Sequence, residues 1–486
     1  IEQIAGDLLP EATLTQRIAT GFLRNTLSNR EGGADLEEFR VRQVIDRTVT
    51  VGTVWLGMTI GCAQCHDHKF DPISQREFYQ LYAFFNEADE VNIDAPLPGD
   101  DVAAHRAAKA EYRRKRDEIL APVADQISEL QAVWEEKLLW TWAHPGEDGI
   151  WDRHLEILGL VWEQDQGGGQ LEGLMIVRTP PERRSPDQTE RLQDYFLKSG
   201  ELIAPERFKE LKLHELRAQL ATLAEDVPPL SRAPTMVRTP VERSTHIHRR
   251  GDFRQPGERV DAGVPAVLPP LASGASADRL ELARWLVSPD HPLTARVTVN
   301  RLWQELFGRG LVSSSDNLGS RGARPTHPEL LDWLAVEFAG NGWSLKRMLR
   351  LLVTSDAYRQ SSHARTDLVE RDPDNTLLAR QSRLRLSAEA VRDVALAASG
   401  LLDRSVGGPS VRPPQPESVS KEGFNNKWET STGRDRYRRG LYTFIQRTSP
   451  YAQFVTFDMP NTSFSCTLRE RSNTPLQALN LLNDPV

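Results

Sequence analysis

Cysteine is scarce in this chain, with three residues in 486: Cys62, Cys65 and Cys466. Three thiols cannot build the even-numbered disulfide framework that holds small secreted folds together. Long apolar runs are missing as well. Nothing approaches the roughly 18 consecutive residues that a membrane-spanning helix needs, so no transmembrane segment is expected. A basic excess is also lacking, because 60 Lys and Arg stand against 68 Asp and Glu, a net charge of −8. A nucleic-acid partner is therefore not expected, since a phosphate backbone selects for a concentrated basic face. With 26% charged and 39% hydrophobic residues, the composition is that of a folded chain. No nucleophile elbow, phosphate-cradling glycine loop or spaced carboxylate pair stands out, which leaves hydrolysis the weakest functional class. The chain opens on Ile1 with neither Met nor a signal-peptide pattern, and reads as a mature or trimmed product.

The length exceeds one ordinary core and implies two to four domains. Residues 1–95 read as helices joined by polar loops. Leu36, Phe39, Val44, Ile45 and Val49 keep helical spacing opposite Glu37, Glu38, Arg42 and Asp46. Residues 96–230 form a charge-rich helical insert, in which the patterns His105 to Trp142 and Gln188 to Ala224 suggest an antiparallel hairpin. The basic run Arg106 to Arg116 is read as a solvated helix face. Residues 231–275 are expected to hold short strands and turns, and residues 276–486 a mainly helical domain with a strand at Leu441 to Ile445. Asp278-Arg-Leu-Glu281 and Thr326-His-Pro-Glu329 have capping-box spacing. The expected fold is mainly α: a multi-domain helical protein with a helical insert and a minor β portion.

Two of the three cysteines fall in Cys62-Ala-Gln-Cys65-His66, the spacing of c-type haem attachment. Cysteines three apart share one side of a helical turn, so both sulfurs can form thioethers to the porphyrin. The adjacent His66 then offers its imidazole to the iron as proximal ligand. One covalently attached haem c is the leading expectation. The alternative is zinc held by Cys62, Cys65, His66 and His68, as thiolate and imidazole are its usual ligands. His68 lies two residues beyond His66 and points elsewhere on a helix, so under the haem reading it takes a supporting or surface position, with Asp67 and Asp71. His246 leads the candidates for a distal iron ligand, ahead of His248, Met58 and Met459. His327 is assigned to helix capping. Cys466, with no histidine or basic cluster near it in sequence, is expected to be a buried apolar residue.

Gly57 to Phe85, GMTIGCAQCHDHKFDPISQREFYQLYAFF, resembles the signature of a cytochrome-c-like domain found in planctomycetes. Asn300 to Gly310, Pro325 to Leu334, Asp435 to Phe444 and Ser472 to Leu479 are similar to its usual companion domain of unknown function. The resemblance covers most of residues 1–95 and 235–486 and implies haem binding at Cys62, Cys65 and His66. It includes Thr245-His246 and Arg250-Gly-Asp-Phe253, departs at Glu305 where relatives carry His, and implies that the first domain begins upstream of Ile1. Covalent haem attachment takes place outside the energy-conserving membrane, so a periplasmic or otherwise exported location is expected. The functional expectation is redox chemistry: electron transfer with a partner protein, or haem-dependent oxidation of a substrate. A zinc-stabilised binding or scaffolding protein is the alternative, with Trp134, Trp140, Trp142, Trp151 and Trp162 facing a glycan. Packing between helices is the commoner fate of such tryptophans.

Overall fold

A computed structural model describes residues 1–28, 33, 35–272, 277–420 and 427–484. The chain divides into two compact units, one of residues 1–49 and 60–291, the other of residues 50–59 and 292–486. Both are mainly helical. Among the described residues, strands form two small antiparallel sheets, both within the first unit.

In the first unit, helix Gln75–Asn86 starts at a complete capping box. Ser74 Oγ accepts from the Glu77 backbone N–H, and the Glu77 carboxylate accepts from the Ser74 N–H at 2.7 Å. Its apolar face buries Phe78, Tyr79, Leu81, Tyr82, Phe84 and Phe85. Strand β1 (Ala88–Asp94) follows and pairs with β2 (Arg232–Arg238), with Asp94 opposite Arg232. Just beyond that pair, the Ala95 N–H donates to the Ser231 carbonyl at 2.8 Å. The intervening chain thus departs and returns at one point, which lets a long insertion join the domain without disturbing its backbone pairing.

Several helices make up the insert, where sequence periodicity suggests a hairpin of two. Val102–Leu120 and Ala124–Ala143 are separated by a short turn at Ala121–Val123 containing Pro122, which supplies no backbone donor. Gly149–Gln166, Glu172–Arg178, Pro186–Ser199 and Leu213–Ala224 complete the bundle. Trp134, Trp162, Tyr195, Phe196 and Phe208 lie fully buried in its core. The basic run is only partly solvated, because Lys109 and Arg113 pair with Glu190 and Arg116 pairs with Asp194. Strands β3 (Thr245–His248) and β4 (Pro256–Val260) form the second sheet, with a register shift between His246 and His248. The turn after β3 passes through Arg250 at φ +56° and Gly251 at φ +78°.

The second unit packs helices Thr294–Phe307, Pro328–Gly340 and Leu345–Thr354 around Val299, Trp303, Phe307, Leu334 and Phe338. A smaller cluster joins Ala388, Trp428, Tyr451, Phe454 and Phe457. The tight π turn Gly52–Leu56 ends at Gly57, which has a left-handed φ of +61°. A Cβ at Gly57 would lie 2.8 Å from Val297 Cγ2, so both conformation and space demand glycine there.

Three expectations need correction. The segment Leu441 to Ile445 is not a strand: Gly440–Tyr442 is a 3₁₀ turn, and a single bridge joins Val411 to Thr443. One bridge gives no ladder to select an extended run. The Thr326 box does not form either, because the helix takes His327 as its N-cap without a side-chain cap, and Thr326 Oγ1 instead contacts His327 Nδ1 at 3.0 Å. Pro328 at the first helical position removes one of the donors that a cap would serve. Cys466 is exposed rather than buried, with its Sγ 3.2 Å from the Leu468 carbonyl. By contrast Asp278 caps its helix as the spacing suggests, accepting from Leu280 and Glu281 N–H.

Candidate functional site

The Cys62–His66 motif sits on a 3₁₀ turn, Ile60–Gln64, and the loop that follows it. Ile60 and Ala63 are buried and anchor the turn, while Cys62, Cys65 and His66 are exposed. Both thiols are free. Helix Gln75–Asn86 fixes the turn from below. Gln75 Nε2 donates to the Gln64 carbonyl at 3.0 Å, Tyr79 Oη donates to the same carbonyl at 3.1 Å, and the Gln75 N–H donates to Asp67 Oδ1 at 2.8 Å. These bonds hold the motif backbone, and both cysteine thiols stay exposed.

His66 Nδ1 lies 2.7 Å from the Asp67 carbonyl oxygen. A carbonyl only accepts, so Nδ1 carries a proton and Nε2 is the nitrogen left to act as a ligand. That is the tautomer a metal-ligating imidazole needs. His68 has a different task. Its Nδ1 accepts from the Asp71 N–H at 2.8 Å, and its own N–H donates to the Ile73 carbonyl at 2.8 Å. The side chain is largely buried beside Asp71, where it shapes the loop. Among the described residues, no three His, Cys, Asp or Glu side chains gather so that they could hold a metal ion.

The second sheet covers the motif from another side. Gly251 is pressed against Cys65, and a Cβ there would stand 2.6 Å from the sulfur. The His248 carbonyl shares the Gln75 Nε2 donor with Gln64. The His248 ring is buried against Tyr79 and Tyr82, with centroids 4.8 and 5.7 Å away. Burial, reinforced by the Arg40 charge, pushes its pKa down to about 4, so the imidazole is neutral at ordinary pH. His246 behaves differently because the register shift separates the two rings. Its Nδ1 contacts the Gly257 carbonyl at 3.1 Å and its Nε2 contacts Ser244 Oγ at 3.3 Å. Of the two histidines, the structure brings His248 and not His246 into the packing beneath the motif. Met58 is buried in the second unit and Met459 packs on that unit's smaller cluster.

Sequence reasoning missed a large cleft in the first unit, about 1060 Å³ in volume. Helix Leu36–Val51, the insert and the segment around β3 and β4 all contribute to its walls, through Glu37 and Arg40, Trp142 and Arg178, and Arg243 and Phe253 respectively. Trp134, Trp151 and Trp162 are core residues, as packing predicts, and Trp140 lies at the surface. Trp142 belongs to the cleft. Phe253, on its rim, is two residues from the Gly251 that touches Cys65.

A mainly helical chain with an exposed, backbone-anchored Cys-x-x-Cys-His turn is the class that these observations define. Residues 1–90 match the family model described as PSCyt2, a protein of unknown function (DUF1549). Residues 278–486 match the model described as PSD1, also a protein of unknown function (DUF1553). The two occur together on one chain, as the resemblance led us to expect. No curated protein and no solved structure matches the chain. Among the described residues, no helix is long and apolar enough to cross a membrane.

Proposed function

We propose that Cys62 and Cys65 hold one haem c through thioether bonds, with His66 as the proximal iron ligand, in an exported protein of redox function. The observation that carries this reading is the His66 tautomer: Nδ1 is committed to the Asp67 carbonyl, beside two exposed and unpaired thiols. The same donors suit zinc less well, because among the described residues no three of them gather as a metal site and His68 Nδ1 accepts from backbone N–H groups. When bound, a haem supplies one-electron chemistry, either for exchange with a partner protein or for oxidation of a substrate.

The residues of this chain then have distinct tasks. Asp67 fixes the proton on His66. Gln75 and Tyr79 hold the Gln64 carbonyl and so set the spacing of the two sulfurs. Gly251 limits the space beside Cys65. His246 lies outside the packing beneath the motif, and its Nε2 would have to leave Ser244 Oγ to reach an iron. His246→Ala is therefore expected to leave the absorption spectrum of the holoprotein unchanged. A protein produced with a c-type haem maturation system should show a Soret band that survives acid–acetone extraction. Stoichiometric zinc in a colourless protein would support the scaffolding alternative instead.

A further inference from the structure

The cleft of the first unit contains an arrangement that the redox reading does not use. Three guanidinium groups, from Arg40, Arg178 and Arg243, meet on its floor. Two are partnered. Arg40 binds Glu37 through Nε and Nη2, at 2.8 and 2.6 Å, and donates to Asn86 Oδ1. Arg243 binds Asp89 at 2.6 Å, while its buried Nε has no hydrogen-bond partner. Arg178 has neither a carboxylate nor a carbonyl partner among the described residues. Its guanidinium is braced over the Trp142 ring, 5.1 Å from the centroid.

Such a site is costly without a ligand. Three cations share two nearby carboxylates, Glu37 and Asp89, and a partly buried charge is normally paired. Burial is the main cause that lowers the pKa of Arg178, with the Arg243 and Arg40 charges adding to it and Glu37 and Asp89 opposing it. A planar guanidinium held on an indole presents its donors as a fixed fork, the geometry that matches carboxylate, sulfate and phosphate oxygens. The cleft is also far larger than a simple ion requires. Its walls also carry the carboxylates of Asp35, Asp152 and Glu242, which can accept from a ligand rich in hydroxyl donors, together with Arg153 and Arg254.

We infer that this cleft binds a hydroxylated organic anion, its oxyanion group on Arg178 and its hydroxyls on the carboxylates of the wall. The inference stands apart from the haem reading, as none of these residues belongs to the Cys62–His66 turn. Isothermal titration of the full chain with gluconate, glucose 6-sulfate, glucose and inorganic sulfate tests it. One or both organic anions should bind at one site per chain, the arm that binds distinguishing a carboxylate from a sulfate-ester source. Glucose and inorganic sulfate should bind at least tenfold more weakly. Arg178→Gln should weaken the organic anion at least tenfold, with Arg178→Lys between the two. Binding to the unaltered chain should also weaken as sodium chloride rises, a readout that needs no variant. Without ligand, Arg178→Gln should melt at the same temperature or higher, because it removes a partly buried charge that no carboxylate hydrogen-bonds. The inference is overturned if neither organic anion binds, if glucose or inorganic sulfate binds equally well, if salt has no effect, or if the Gln variant keeps its affinity. A Gln variant that melts well below the unaltered chain would mark Arg178 as structural and overturn it too.

Discussion

The Cys62–His66 turn and the arginine cleft lie in the same unit but are built in opposite ways. The turn takes its reactive groups from five consecutive residues, and its side chains stay exposed while backbone bonds to Gln75 and Tyr79 fix the spacing. The cleft takes Arg40, Arg178 and Arg243 from three segments that are far apart in sequence, and its geometry exists only once the insert has packed. Chemistry written locally can survive damage to the fold, whereas assembled chemistry cannot. Variants that separate the two regions therefore test that difference.

The largest effect is expected at the turn. Replacing both Cys62 and Cys65 by Ser should abolish covalent haem retention entirely, as read on a denaturing gel stained for haem, while far-UV circular dichroism still shows a helical protein. Next comes the insert core. Trp162 is fully buried and abuts Gly173, whose Cβ would approach its ring within 2.4 Å. Trp162→Ala should cost about 3–5 kcal/mol in urea unfolding and disturb the cleft, yet leave the two thiols as reactive toward a maleimide as before. A change in thiol reactivity would show that the regions are coupled.

Gly251→Ala is expected to fall between the regions in kind and below Trp162→Ala in size. It forces a side chain into φ +78° and within 2.6 Å of Cys65 Sγ. A cost of about 1–3 kcal/mol follows from strain of that type, accompanied by slower thiol modification at Cys65. The smallest effect concerns pH. Burial alone would raise the Glu190 pKa, but Lys109 and Arg113 hold it below its ordinary value of 4.5. A depressed carboxylate contributes stability above that value and loses it as pH falls through the folded pKa. The urea midpoint should thus decline below about pH 5, and Glu190→Gln should remove about 1 kcal/mol or less of that decline.

What could be read from sequence followed the same division. Cys62, Cys65 and His66 were legible because their spacing is local. The helical run Phe78 to Phe85, within helix Gln75–Asn86, was legible because Phe78, Leu81, Tyr82 and Phe85 repeat with helical spacing. Strand β1 was not, since Ala88–Asp94 is polar, shows no alternation, and finds its partner some 140 residues later. His246 ranked ahead of His248 in the sequence, yet the register shift separates them and it is His248 that packs beneath the motif. Cys466 lacked any local cue to its exposure. Trp142 read as one of several tryptophans that pack helices or face a glycan and nothing singled out Arg178, and only the packing of the insert on helix Leu36–Val51 and the segment after β2 gives them a shared site.

What the two sulfurs carry decides between haem and free thiols. Mass spectrometry of the intact, denatured chain, produced with a c-type haem maturation system, measures that directly. A mass increase of one haem, lost when Cys62 and Cys65 are both replaced by Ser, is the predicted result. An unmodified mass with two alkylatable thiols at those positions would contradict it.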